Sequence, residues 1–235
     1  MTEDDVRQRL ALALDVDDLD EARRTAAALA PWIGVAKIGL ELYSAAGPAA
    51  ITALRGDGFR VFLDAKLHDI PTTVGRAARV LGRLDVAYLN LHAAGGEAML
   101  AAGVEGMIAG AAEAGFDAPV PIAVTVLTSE PDTSEFEPRL RTAIAAGCRG
   151  VVCAVHEIAR VKHAAPDFVT IVPGVRLAGS DVDDQARVGR PGEVAAAGAD
   201  LLVVGRTVTA AAQPEVAARQ LYDEVGAAVA SISRV

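Results

Sequence analysis

Short apolar runs of strand length recur eight times along this chain, at residues 10–14, 33–38, 60–66, 87–92, 121–127, 150–155, 170–175 and 201–204. Between them lie Ala-rich stretches that read as helices: residues 19–30, about 48–54, 71–82, from the fourth strand to about 114, 137–146, 157–164, and onward from about 214. Pro31 stops the first helix, and Pro71 stands where another begins, a position that tolerates its missing N–H. The strands are continuous Val, Leu and Ile runs, as expected where both faces of a sheet are covered. Such strands alternating with helices build a parallel sheet, and eight of them predict a closed (β/α)8 TIM barrel of the α/β class. An open doubly wound sheet competes, but no G-x-G-x-x-G follows the first strand. No Ser/Gly-rich hinge, low-complexity linker or charge block marks a boundary, so residues 1–235 are expected to form a single barrel domain.

The formal charge of −9 opposes non-specific nucleic-acid binding, which needs a basic footprint. It leaves room for a small anion held by a few placed Arg and Lys side chains. No apolar run approaches the roughly 20 residues of a membrane span. The acidic start Thr2-Glu3-Asp4-Asp5 resembles neither a signal peptide nor a transit peptide. With Cys148 and Cys153 as the only cysteines, no disulfide framework is expected, and Cys153 reads as a small core residue. Together these features predict a soluble, cytoplasmic protein with no nucleic-acid or membrane partner.

The polar residues fall in a pattern that packing does not require. Asp15, Lys37, Asp64, Lys66, His92, Thr128, Arg176 and Arg206 all lie at or just beyond the C-terminal ends of the expected strands. In a barrel of this kind that end carries the active site. Asp64 and Lys66 are two apart on a strand and so share a face. An isolated pair of this kind can be a structural clasp. Here Lys37 and Lys66 can interleave with Asp15, Asp64 and Asp69, so that lysines stay protonated and carboxylates ionised. Gly205 and Arg206 follow the eighth strand, a common phosphate corner, where glycine admits backbone N–H groups and arginine adds a bidentate clamp. Arg176 opens a long connection over residues 177–190 that contains Gln185 and reads as a lid or binding loop. Asp64, His68, Asp69 and His92 offer a metal-ligand set, which two nearby ammonium groups disfavour. His156 and His163 read as helix-surface residues, and neither cysteine has a placed base.

Asp64-x-Lys66-x-x-Asp69-Ile70-Pro71-x-Thr73 closely resembles the signature of bacterial-type orotidine 5′-monophosphate decarboxylases. The resemblance covers nearly the whole chain, through Ala13-Leu14-Asp15, residues 35–42, 91–96 and 124–129, Pro173-Gly174-Val175-Arg176, Asp184-Gln185 and Val204-Gly205-Arg206. The D-x-K-x-x-D core is shared with sugar-phosphate enzymes of the same superfamily, whereas the Ile-Pro-x-Thr, Thr-Ser, Pro-Gly-x-Arg and Gly-Arg elements are specific. The resemblance implies conversion of orotidine 5′-monophosphate to UMP and CO2, without metal or cofactor. It implies that Lys66 protonates C6 and that Asp64 lies beside the departing carboxylate, with Lys37 and Asp69 completing the charged network. Asp15 and Lys37 would hold the ribose, Thr128 the base, Gln185 both base and phosphate, and Arg176, Gly205 and Arg206 the phosphate. Ile70 and Thr73 join the substrate-binding set, and Asp69 and Thr73 are expected to reach a neighbour's site in a homodimer. The rival readings are a metal-dependent lyase or aldolase of the same superfamily and a non-catalytic nucleotide-binding protein.

Overall fold

The computed structural model describes residues 3–127, 130, 132–177 and 189–232. The elements run α1 (Glu3–Arg7), β1 (Leu10–Leu14), α2 (Leu19–Leu29), β2 (Val35–Ile38), α3 (Leu40–Ala46), α4 (Pro48–Gly56), β3 (Arg60–Leu67) and α5 (Pro71–Gly82). They continue with β4 (Tyr88–His92), α6 (Gly96–Ala114), β5 (Val120–Val124), α7 (Phe136–Ala145), β6 (Gly150–Val152) and α8 (Ile158–Ala164). The chain is completed by β7 (Val169–Val172), α9 (Pro191–Ala196), β8 (Leu201–Val204), α10 (Arg206–Thr209) and α11 (Pro214–Ile232). Each strand pairs in parallel with the next, and β1 pairs with β8, closing a (β/α)8 barrel.

Alternation along each strand sorts the core into two shells. Ala11, Val35, Phe62, Tyr88, Ile122, Ile171 and Leu201 belong to a compact cluster that fills the barrel interior. Phe62 and Tyr88 meet there edge to face, with centroids 6.1 Å apart. Their neighbours one residue along, such as Leu12, Ala36, Leu63 and Leu89, join the larger core beneath the helices. Two residues beyond Ala13, Val35, Phe62 and Tyr88, the inward positions become Asp15, Lys37, Asp64 and Asn90. The interior therefore changes from apolar plug to polar floor near the C-terminal ends of the strands.

Helices α5 and α6 pack with unusually little space between their backbones. A Cβ at Gly106 would overlap the Gly75 carbonyl oxygen, and one at Gly110 would overlap that of Arg79. On the other side, a Cβ at Gly82 would overlap the Met107 carbonyl. These glycines let α5, which directly follows β3, seat closely against its neighbour.

Several elements differ from the sequence expectation. A separate helix, α3, occupies residues 40–46 and is divided from α4 by Gly47 at φ 57, a left-handed position that suits glycine. The strand expected over 33–38 starts at Val35, and that over 121–127 ends at Val124. Strand β6, expected over 150–155, stops at Val152, because residues 155–157 form a 3-10 turn in which the Glu157 carboxylate accepts the Ala154 N–H. A short β6 leaves residues 125–127 without a strand to pair with. Strand β7 ends at Val172 and a tight turn at Gly174, φ 77, redirects the chain towards Arg176. The helix after β7 is α9, at the far end of the long connection; with six residues it is too short to show helical periodicity.

Candidate active site

Strands β1, β2 and β3 bring charges of alternating sign to the barrel mouth. Lys37 Nζ lies 3.3 Å from Asp15 Oδ1 and 3.3 Å from Asp64 Oδ2. Lys66 Nζ donates to Asp64 Oδ1 at 2.6 Å. A side chain at Gly39 would put its Cβ 3.1 Å from Asp15 Oδ1 and 3.4 Å from Lys37 Nζ, so glycine there leaves the pair room. The row Asp15–Lys37–Asp64–Lys66 is the interleaving expected from the sequence, without Asp69.

Asp64 is the buried centre of this row, only 8% exposed. Burial pushes its pKa up, but Lys37 and Lys66, together with hydrogen bonds from Lys66 and Asn90, outweigh that and hold it below the ordinary carboxylate range. It is thus ionised at neutral pH, with Oδ1 engaged by Lys66 and Asn90 and Oδ2 by Lys37. Lys66 reaches Asp64 by a route that plain strand alternation does not describe. Its φ is 46, and the β3–β4 register shifts between Leu63 and Leu67.

These residues line a cavity of about 250 Å³. Asp15, Lys37, Asp64 and Lys66 come from β1–β3 and the residue after β1, and Pro173, Gly174, Arg176, Gly205 and Arg206 from the segments that follow β7 and β8. Phe62, Val124, Val126, Val152, Ile171 and Val203 supply apolar wall. Residues 125–127 continue beyond β5, and Arg139 on α7 donates from its Nη1 to the Thr125 carbonyl at 2.8 Å. Arg176 Nη1 donates to Thr207 Oγ1 at 2.9 Å, and that hydroxyl donates to the Val175 carbonyl at 3.1 Å. The Arg176 Nε is buried and unpartnered among the described residues. At Gly205 an added Cβ would make only an ordinary 3.6 Å contact with Ala13, so packing alone does not demand glycine there.

Asp69, Ile70 and Thr73 are not among the cavity-lining residues of their own chain. All three are exposed, Ile70 by 65%, on the turn after β3 and the start of α5. Asp69 Oδ1 accepts the Ile70 N–H at 2.6 Å. Thr128 and Gln185 lie outside the described residues. His68 stacks on His92 at 5.3 Å, and burial, then His68, Arg139 and Lys66, push the His92 pKa down. His92 Nδ1 accordingly accepts the Ala94 N–H at 3.2 Å as a neutral ring would. Among the described residues no three His, Cys, Asp or Glu side chains are placed to hold a metal ion. His156 and His163 are exposed. Cys148 and Cys153 are buried, and burial pushes the Cys148 thiol up to about 12. The residue that sequence reasoning passed over is Asn90. Its signal was a polar side chain between Tyr88 and His92, in register with the inward positions of an otherwise apolar strand.

Residues 8–221 match the family described as Orotidine 5'-phosphate decarboxylase / HUMPS. The chain belongs to this family. The match spans all eight strands, and so every cavity-lining residue of the orotidine 5'-phosphate decarboxylase / HUMPS barrel. An orotidine 5'-phosphate decarboxylase of Moorella thermoacetica is 45% identical over 233 residues, covering 93% of this chain and 92% of that protein. One from Thermobifida fusca is 44% identical over 230 residues, covering 92% and 95%. The crystal structure of orotidine 5'-phosphate decarboxylase from Lactobacillus acidophilus superposes with a TM-score of 0.76 at 29% identity, covering 93% of this chain and 99% of that one. No helix among the described residues is long and apolar enough to cross a membrane.

Proposed function

We propose that this protein is an orotidine 5′-phosphate decarboxylase, converting orotidine 5′-phosphate to UMP and CO2 in pyrimidine biosynthesis, and that Lys66 delivers the proton. The C6–carboxylate bond breaks, its electron pair stays on C6, and CO2 leaves. A proton from the Lys66 ammonium then completes UMP. The difficulty is the negative charge that develops on C6 with no adjacent group to accept it. A fixed cation aimed at that carbon stabilises the transition state more than the ground state. The observation that carries this reading is the 2.6 Å pair of Lys66 and Asp64 inside the cavity that also receives Arg176 and Arg206.

Asp64, ionised and buried, faces the substrate carboxylate as a like charge, a repulsion relieved when CO2 departs. Lys37, bound between Asp15 and Asp64, fixes that carboxylate and with Asp15 holds the ribose hydroxyls. Arg176, the Gly205 N–H and Arg206 bind the phosphate; the unpartnered Arg176 Nε supports this assignment. Phosphate binding away from the reacting carbon supplies energy for holding the charged array in place. Thr128 meets the base, and Gln185 bridges base and phosphate. Asp69, Ile70 and Thr73, exposed at the same end of the barrel, complete the site of a second subunit in a homodimer. Residues 1–235 act as one barrel domain in the cytoplasm, with no nucleic-acid or membrane partner. The row Lys37–Asp64–Lys66 places two ammonium groups where a metal-dependent lyase would need its ion, which disfavours that alternative.

The test is the fall in orotidylate absorbance with purified protein and EDTA, with UMP identified chromatographically. Turnover under those conditions is expected. No turnover, or turnover that the chelator abolishes, would overturn the reading.

A further inference from the structure

Asn90 is fully buried on β4, yet both ends of its amide are committed to β3. Its Oδ1 accepts the Lys66 backbone N–H at 2.7 Å, and its Nδ2 donates to Asp64 Oδ1 at 2.6 Å. The two contacts fall where the ladder is interrupted. Leu63 pairs with Leu89 and Leu67 with Leu91, so three residues of β3 stand opposite one of β4, Asn90. Within that bulge Lys66 holds φ 46, a conformation that non-glycine residues adopt only when their surroundings impose it. The strand partner's side chain replaces the missing ladder bond and fixes the Lys66 peptide in that turn.

We infer that Asn90 is a positioning residue for the decarboxylation: one amide holds the Lys66 backbone and one Asp64 oxygen together, and so aims the Lys66 ammonium at the reacting carbon. This rests on the reading of Lys66 as proton donor. An amide is the group the position requires. It presents an acceptor to an N–H and a donor to a carboxylate at once, which neither an acid nor an amine of the same shape can do at neutral pH. Asn90 is outside the cavity lining and acts on the substrate only through its two partners.

The inference is tested with Asn90→Ala, Asn90→Asp and, as control, Lys66→Ala, measuring kcat, KM, UMP affinity and thermal unfolding. Asn90→Ala is expected to lower kcat on the order of a hundredfold, as small misplacements of reacting groups do. UMP affinity, set by the phosphate and ribose contacts, should stay within about twofold. Asn90→Asp keeps the shape and gives a pH signature. Its new carboxyl faces the Asp64 carboxylate, which Lys66 on β3 and Lys37 on β2 contact; Asp15, just after β1, pairs with Lys37, and His92 lies two residues along β4. It can donate to Asp64 only when protonated. Relative to wild type at each pH, Asn90→Asp activity should therefore rise as pH falls through the shared titration. A general structural role would not produce that limb. Wild-type kcat in Asn90→Ala would overturn the inference, as would equal losses of kcat and UMP affinity. If the alanine variant does not fold, an Asn90→Asp profile parallel to wild type overturns it instead. Turnover by Lys66→Ala would remove the proton-donor reading itself. An inactive Lys66→Ala beside a fully active Asn90→Ala would remove only the role of Asn90.

Discussion

Lys66 Nζ and Asp64 Oδ1 stand 2.6 Å apart across a strand that is irregular between them. A regular strand would set the two side chains side by side on one face, some 7 Å apart at the backbone. Lys66 instead makes a left-handed turn, φ 46, and its ammonium meets the carboxylate. Such a turn costs roughly 1–2 kcal/mol in a residue other than glycine, and it is held here by the Asn90 side chain. Among the described residues the other non-glycine residue at positive φ is Asp85, φ 52, ahead of β4; Lys66 is the one that lines the cavity.

The phosphate corner can be tested at Arg206. Arg206→Ala is expected to lose about 1.5–3 kcal/mol of transition-state stabilisation, roughly 10- to 150-fold in kcat/KM, the range for a hydrogen bond to a charged group. The loss should be much smaller with orotidine, which lacks the phosphate. Equal losses on both substrates, measured by steady-state kinetics, would show that Arg206 is not the clamp.

Asp64 predicts a specific pH dependence of stability. Its folded-state pKa lies below the ordinary value because Lys37, Lys66 and Asn90 outweigh burial. A depressed carboxylate contributes stability that is fully present above its unfolded pKa of about 3.9 and is lost as pH falls through the folded value. Asp64→Asn should therefore be less stable than wild type at neutral pH, with a gap that is constant down to about pH 5 and narrows below about pH 4. Denaturant unfolding across that range measures it. An asparagine variant as stable as wild type at pH 7 would contradict the assignment.

Gly106→Ala tests the close seating of α5 on α6. The new methyl would meet the Gly75 carbonyl oxygen, a backbone atom that can move only with its helix. Overpacking of this kind costs about 1–3 kcal/mol, to be read from urea unfolding. An unchanged midpoint would mean that the two helices slide apart at no cost.

Two inactive variants test whether Asp69 serves a neighbour. Lys66→Ala and Asp69→Asn are each expected to be inactive. In a mixed dimer with shared sites, one site carries both lesions and the other carries neither. Random exchange makes about half of the dimers mixed, so roughly a quarter of wild-type activity should return. Mixed dimers seen by native mass spectrometry without recovered activity would place Asp69 in its own subunit's site.

The barrel was legible because its strands are continuous apolar runs and because the polar residues collect at one end of them. Asp15, Lys37, Asp64, Lys66, Arg176, Gly205 and Arg206 were each found from their place at a strand end, and all of them line one cavity. Periodicity could not show α9, whose six residues are too few, or the division of α3 from α4 at Gly47. Nor could it show the bulge at Lys66, since the register shift that makes it depends on the pairing with β4. Asn90 was hidden by the same limit. Its two hydrogen bonds join residues 24 and 26 positions away, a relation that exists only once the strands are paired.

The most direct test of the account is turnover of orotidine 5′-phosphate by wild type and Lys66→Ala in the presence of EDTA, alongside UMP binding by both. Wild type should consume the substrate and release UMP. Lys66→Ala should bind UMP while showing no turnover above background. Near-normal turnover by Lys66→Ala would contradict the central claim, because the proton would then come from another group.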